Sequence, residues 1–165
     1  MKYCPECAGR LEAKIIDSVE RKVCTQLGCD FVFWDNPTPV VAMLVEYQSG
    51  IILARNSKWD AGLFSVLTGF LEKNQSPEQA ALSEVKQELG LDGQIKKFIG
   101  HYALFETNQI ILAFAVAAHG ALKINHEIAE VKIFTQAAIA TYSFGRFAVT
   151  RAIVQDWLAQ PPSRN

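Results

Sequence analysis

Apolar residues along this chain cluster in short runs of strand length, with two segments of helical period among them. Val40–Tyr47 and Ile51–Arg55 are almost continuously apolar or β-branched. Gln48-Ser-Gly50 lies between them, a pattern that predicts a β-hairpin. Leu63–Leu67, Ile95–Phe105, Gln109–Ala118 and Glu130–Phe134 read as further strands, and Phe31–Trp34 as a short one ahead of them. Asp35-Asn-Pro-Thr-Pro39 excludes a helix and predicts a boundary, with the main domain opening near Pro37.

Two segments carry a helical period instead. In Ser76–Gly90, Ser76 is placed to cap, Pro77 suits the first turn, Gln79 completes a capping box and Gly90 ends the helix. On a 3.6-residue period Ala81, Leu82, Val85 and Leu89 share an apolar arc, with Glu84, Gln87 and Glu88 on the arc beside it. Phe147–Leu158 repeats the period through Ala148, Ile153, Val154 and Trp157, up to Pro161-Pro162. The expected architecture is α+β, a mixed sheet with two main helices.

Composition narrows the function classes. The 165 residues are 50% hydrophobic, enough for one sizeable core and a small appendage. Sixteen basic against seventeen acidic residues leave a net charge of −1, which argues against a nucleic-acid or anionic-membrane partner and leaves room for a small phosphorylated ligand. The polar N-terminus does not resemble a secretory signal, and no apolar run reaches the length of a membrane span, so a cytoplasmic location is expected.

All four cysteines lie in the first 29 residues, as Cys4-Pro-Glu-Cys7 and Cys24-Thr-Gln-Leu-Gly-Cys29, flanking a polar hairpin sequence. This is zinc-ribbon spacing: two short loops each aim two thiolates at one point, and the metal replaces a core that a segment this short cannot build. Two disulfides, or four free thiols, are the competing readings, and a reducing cytosol disfavours the disulfides. Four thiolates leave no open coordination position, so Zn²⁺ here would be structural. The expected role is folding or dimerisation, and a homodimer is compatible with it. His101, His119 and His126 have no ligand spacing.

The helix and the loop before it suggest the chemistry. Gly69 allows close backbone approach, and paired carboxylates at i and i+4 beside an exposed carbonyl suit Mg²⁺, which keeps several waters and bridges to phosphates. Over Gly69–Leu91 the chain resembles the Nudix box, G-x5-E-x7-R-E-U-x-E-E-x-G-U with U bulky and aliphatic, at Gly69, Glu84, Val85, Glu88, Gly90 and Leu91. With a ribbon in front it is most similar to the zinc-ribbon branch of the Nudix superfamily that includes NADH pyrophosphatases.

The resemblance implies a Nudix fold, a mixed β-sheet sandwiched by helices behind an N-terminal β-rich zinc ribbon. The implied division is 1–34 ribbon, 35–160 Nudix domain and 161–165 tail. It implies a pyrophosphohydrolase that uses Mg²⁺ or Mn²⁺ to cleave a diphosphate bond in a nucleoside diphosphate derivative. Glu84 and Glu88 would be the catalytic carboxylates, and Gly69, Glu84, Gln87 and Glu88 the metal-holding positions. Arg55, Glu127 and Glu130 are candidates for substrate contact or a compensating carboxylate. Trp59, Tyr102 and Phe105 have faces that suit a base, although aromatics beside strands ordinarily pack in the core.

Three box positions depart from the pattern. Gln75 and Gln87 stand where the family has Glu, and Ser83 where it has Arg. An amide oxygen at Gln87 can ligate without charge, which predicts weaker metal binding. Gln75 and Ser83 together remove the ion pair that would brace the catalytic glutamate. A nucleotide-binding or interaction module with weakened catalysis is therefore the alternative reading. The region Gly100–Gln109 lacks the S-Q-P-W-P-F-P signature, which argues against specific NADH cleavage.

Overall fold

The polar segment between the two cysteine pairs folds back on itself in the computed structural model, which describes residues 1–160. Strand β1 (Leu11–Ile16) pairs antiparallel with β2 (Val19–Cys24), from Leu11 opposite Cys24 to Ile16 opposite Val19. The turn residues Asp17 and Ser18 both take positive φ, the primed geometry that matches the twist of a two-residue hairpin. A two-residue strand β3 (Val32–Phe33) completes this sheet, shorter than the Phe31–Trp34 run expected. Chain contacts divide the protein into two compact units, Met1–Pro37 and a second that begins at Thr38. The tail 161–165 and the expected helix stop at Pro161-Pro162 lie outside the described residues.

The second unit runs β4 (Thr38–Tyr47), β5 (Gly50–Asn56), β6 (Leu67–Phe70), α1 (Pro77–Leu89), β7 (Asp92–Leu104), β8 (Gln109–His119), β9 (Ile128–Phe134), α2 (Gln136–Ala140) and α3 (Ala148–Ala159). Its sheet has the order β7-β8-β4-β5-β9, with β6 also paired to β4. The β4–β8 pairing is parallel, from Thr38 opposite Gln109 to Glu46 opposite Ala117, and the other pairings are antiparallel.

Strand β4 reads as a continuous apolar run because both of its faces are covered. Val40, Ala42 and Leu44 point into a core closed by Ile139 of α2 and Ile153 and Val154 of α3. Val41, Met43 and Val45 point into a second core closed by Ala80, Ala81, Val85 and Leu89 of α1. The expected mixed sheet between helices is therefore the observed architecture.

Two local expectations are corrected. Leu63–Leu67 is not a strand: Ser65 makes only an isolated bridge to Ala54, and β6 begins at Leu67. The first half of β4 lies beyond the reach of β5, and Leu67–Phe70 takes that open edge, with Gly69 opposite Val41. Helix α2 was not expected, since five residues are too few to show a period. Thr135 caps it, its side chain accepting from the Ala138 amide.

Candidate active site

Helix α1 starts as its residues dictate. Ser76 Oγ accepts from the Gln79 amide at 3.2 Å, Gln79 Oε1 accepts from the Ser76 amide at 2.9 Å, and Gly90 ends the helix at φ +69°. Burying Ala81, Val85 and Leu89 against the sheet leaves Glu84 half-buried and Gln87 exposed. Glu88 is drawn almost wholly inside, at 7% exposure. Antiparallel pairing of β6 with β4 then sets Gly69 directly beneath Glu84. A Cβ on Gly69 would overlap the Glu84 carboxyl group, so glycine here is what lets Glu84 keep this position.

A third carboxylate is brought in by a loop that the end of α1 itself anchors. The last carbonyls of a helix lack partners within it. Here the Lys123 amide donates to Leu89 O at 2.8 Å and the Asn125 amide to Glu88 O at 3.0 Å. Asn125 Oδ1 accepts from the Glu127 amide at 2.9 Å, and Glu127 O accepts from the Ser57 amide at 2.7 Å.

Glu84, Glu88 and Glu127, with Gly69, Gln87 and Gln109, line one cavity of about 320 Å³. No Lys, Arg or His is among its lining residues. Gln109 and Thr68 of this lining were not anticipated; neither carries a charge or spacing signal. The Asn125-His-Glu127 sequence did carry an Asx-turn signal for the loop.

The electrostatics follow from the crowding. Burial, together with Glu84 and Glu127, pushes the Glu88 carboxyl up to about 7 from an ordinary 4.5. Burial, with Glu127 and Glu72, likewise raises Glu84. Acids gathered out of water without a countercharge form a donor set suited to a divalent cation, so these residues fit the metal that the box implies. They do not close into a tight ligand cage as the cysteines do. That openness suits an ion that keeps waters and bridges to phosphate.

The substituted box positions are also placed. Gln87 Nε2 donates to Ser83 Oγ at 3.0 Å, so two of the three departures bond to each other one turn apart. Gln75 is half-buried in the loop ahead of α1, and its amide donates to Glu72 O at 3.3 Å. Arg55 and Glu130 do not line the acidic cavity. Arg55 Nε lies 3.5 Å from Glu130 Oε2, beyond good hydrogen-bond geometry, and Arg55 Nη1 donates to Trp59 O at 3.2 Å. Glu130 also meets Lys132 at 3.7 Å.

In the N-terminal unit the sulfurs of Cys4, Cys7, Cys24 and Cys29 all lie within 4.8 Å of one another. Cys4 and Cys29 are 3.8 Å apart and Cys7 and Cys24 3.4 Å. Tetrahedral thiolates on zinc stand about 3.8 Å apart, so four free thiols at this spacing fit one metal ion. Among the described residues no helix is long and apolar enough to cross a membrane.

A sheet between helices, with a glycine strand edge beneath a helix that presents carboxylates, defines an α+β fold with an acidic site on one helix face. A family model for the NUDIX domain matches residues 36–153, and the chain belongs to that family. It is 28% identical over 138 residues to the NAD-capped RNA hydrolase NudC of Vibrio vulnificus, a match covering 82% of this chain and 51% of that protein. It is 30% identical over 125 residues to that of Vibrio atlanticus, covering 74% and 45%. This chain thus spans about half the length of these curated relatives. A NUDIX hydrolase structure from Nitrosomonas europaea superposes with a TM-score of 0.83 at 22% identity, over 96% of this chain and 91% of that one. A UDP-X diphosphatase structure gives 0.61 at 20% identity, over 75% and 64%. At these identities the structural likenesses speak for the fold.

Proposed function

We propose that this protein is a divalent-metal-dependent pyrophosphohydrolase that cleaves the diphosphate bond of a nucleoside diphosphate derivative, with Mg²⁺ or Mn²⁺ as the metal. One observation carries the reading: three glutamates converge on Gly69 in a cavity whose lining has no basic side chain. An anionic diphosphate cannot approach such a cavity unless a cation lies between them.

Glu88, the most buried acid, holds the metal, and Glu127 contributes charge that Gln87 cannot. Gln87 offers an amide oxygen while its Nε2 is engaged by Ser83. Glu84, fixed over Gly69, orients the attacking water and takes its proton. A divalent ion bound here neutralises charge on the diphosphate and lowers the pKa of water. The NudC relatives support a nucleotide-derived substrate.

A second reading, a nucleotide-binding module with lost or weakened turnover, is favoured by Gln75, Ser83 and Gln87. Assaying the purified protein on a nucleotide panel with Mg²⁺ and Mn²⁺, beside Glu84→Gln, separates the two. Turnover that Glu84→Gln abolishes supports the hydrolase; equal turnover in both proteins overturns it. Activity that appears only after Gln75→Glu, Ser83→Arg and Gln87→Glu together would establish the binder.

We infer also that Cys4, Cys7, Cys24 and Cys29 bind one structural Zn²⁺ in a ribbon formed by residues 1–34, ahead of a catalytic domain at 35–160. One equivalent of zinc by elemental analysis, lost in a Cys7→Ser/Cys24→Ser variant, is the expected result.

A further inference from the structure

Glu88 also lines a second, much smaller cavity of about 40 Å³, which has only Thr68 and Glu88 in common with the acidic one. This space lies where β5 and β6 share an edge of β4. Strand β6 pairs with residues 40–43 of that edge, and β5 pairs only from Val45 onward. The parting strands supply Ala54 and Asn56 of β5 and Leu67 and Thr68 of β6, and Ile128 of β9 closes the space on another side. The β5–β9 ladder shifts register at the same point, between Arg55 and Asn56.

Asn56, Thr68 and Glu88 bring an amide, a hydroxyl and a carboxyl group to this space. Asn56 Oδ1 already accepts from the Lys58 amide at 3.0 Å, so only the Nδ2 hydrogens of that side chain are left to give. Glu88 is 7% exposed, and among the described residues no protein group donates to its carboxyl oxygens. A buried carboxyl group is costly without a donor. A water needs about 10–15 Å³ of such space and two to four polar partners, and the cavity meets both conditions. A bare cation would meet the Asn56 hydrogens, whereas water accepts from them and donates to Glu88.

We propose that this cavity is an internal hydration site in which one ordered water accepts from Asn56 Nδ2 and donates to the Glu88 carboxylate, making Asn56 a positioning residue for Glu88. The positioning role rests on the metal-site reading of Glu88; the water site does not. A bridging water holds its partners nearly as well as a direct bond. It fixes one carboxylate oxygen and leaves the remaining lone pairs to the acidic cavity. The brace comes from the sheet rather than from α1, where Gln87 is bonded to Ser83. Groups that orient a metal ligand in this way are typically worth about 10- to 100-fold in affinity.

The test joins a high-resolution crystal structure of the metal-free wild-type protein to Mn²⁺ titration, by electron paramagnetic resonance, of wild type, Asn56→Ala and Asn56→Thr. The crystal is expected to hold one water within hydrogen-bond distance of both Asn56 Nδ2 and the Glu88 carboxyl group. Asn56→Ala should weaken Mn²⁺ binding about tenfold. A threonine hydroxyl can accept from the Lys58 amide while donating to the water, so Asn56→Thr should stay within about threefold of wild type. A crystal without that water would overturn the hydration site, whether or not the variants fold. Undiminished Mn²⁺ binding by Asn56→Ala, or an equal loss in Asn56→Thr, would overturn the positioning role. Absent Mn²⁺ binding by the wild type would refute the metal reading and the positioning role with it, whereas the water site is read from the metal-free crystal alone.

Discussion

A Cβ on Gly69 would fall 2.2 Å from the Glu84 carboxyl carbon, so a methyl group placed between strand β6 and helix α1 would push that side chain aside. Gly69→Ala is therefore expected to displace Glu84 and lower turnover by at least tenfold, since a misplacement of about 1 Å can cost 10²-fold. Gly28 has open space around its Cβ position and lies in the N-terminal unit. Gly28→Ala, despite local strain at φ +81°, should leave kcat unchanged, and steady-state kinetics of the two variants check the contrast.

Glu127 and Glu130 are three residues apart in sequence but differ in surroundings. Glu127 shares the cavity with Glu84 and Glu88, whereas Glu130 meets Arg55 and Lys132. Glu127→Gln should weaken Mn²⁺ binding about tenfold, and Glu130→Gln should leave it unchanged. Mn²⁺ titration followed by electron paramagnetic resonance gives both affinities. An equal loss in the two variants would contradict the assignment.

Glu88 makes the metal-free fold sensitive to pH. Its carboxyl is raised to about 7 from 4.5, so the folded state holds this proton more tightly than the unfolded chain does. Stability contributed at this site is full below pH 4.5 and declines as pH rises towards 7, where the buried carboxylate ionises. In chelator, Glu88→Gln should gain relative to wild type between pH 5 and pH 8, on the order of 1–2 kcal/mol after discounting for partial solvation. Urea unfolding at the two pH values measures it. Metal affinity should rise through the same window, because the ion displaces that proton.

Ser65 and Thr150 bond across the core between the segment before β6 and helix α3. Ser65→Ala leaves a buried hydroxyl with its partner removed and should destabilise by about 1–2 kcal/mol. Adding Thr150→Val removes the stranded group, so the double variant should lose less than the sum of the two singles. Denaturant unfolding of all four proteins closes the cycle.

Much of this arrangement was legible locally. The capping box at Ser76 and Gln79, the Gly90 stop and the carboxylate arc of α1 rest on interactions within a few residues. The apolar runs of β4, β5 and β8 likewise announce strands because burial in a sheet leaves a continuous mark, while β7 shows the alternation of a strand with one covered face. Strand β6 was displaced from the expected Leu63–Leu67 because its place depends on which edge of β4 remains open. Helix α2 was missed because its cap and one buried residue, Ile139, gain their stability from the sheet beneath.

The sequence by itself determined the helix that carries Glu84 and Glu88, the glycine ahead of it, the four thiols and the sheet that supports the site. All of these depend on periodicity or short spacing. Tertiary structure alone decided that Glu127 joins the acids while Glu130 pairs with Arg55, and that Arg55 braces Trp59. It also set a second, smaller cavity against Glu88. Those outcomes depend on which strands pair and where the loop after β8 is anchored on α1, distances that close only when segments far apart in the chain are packed together.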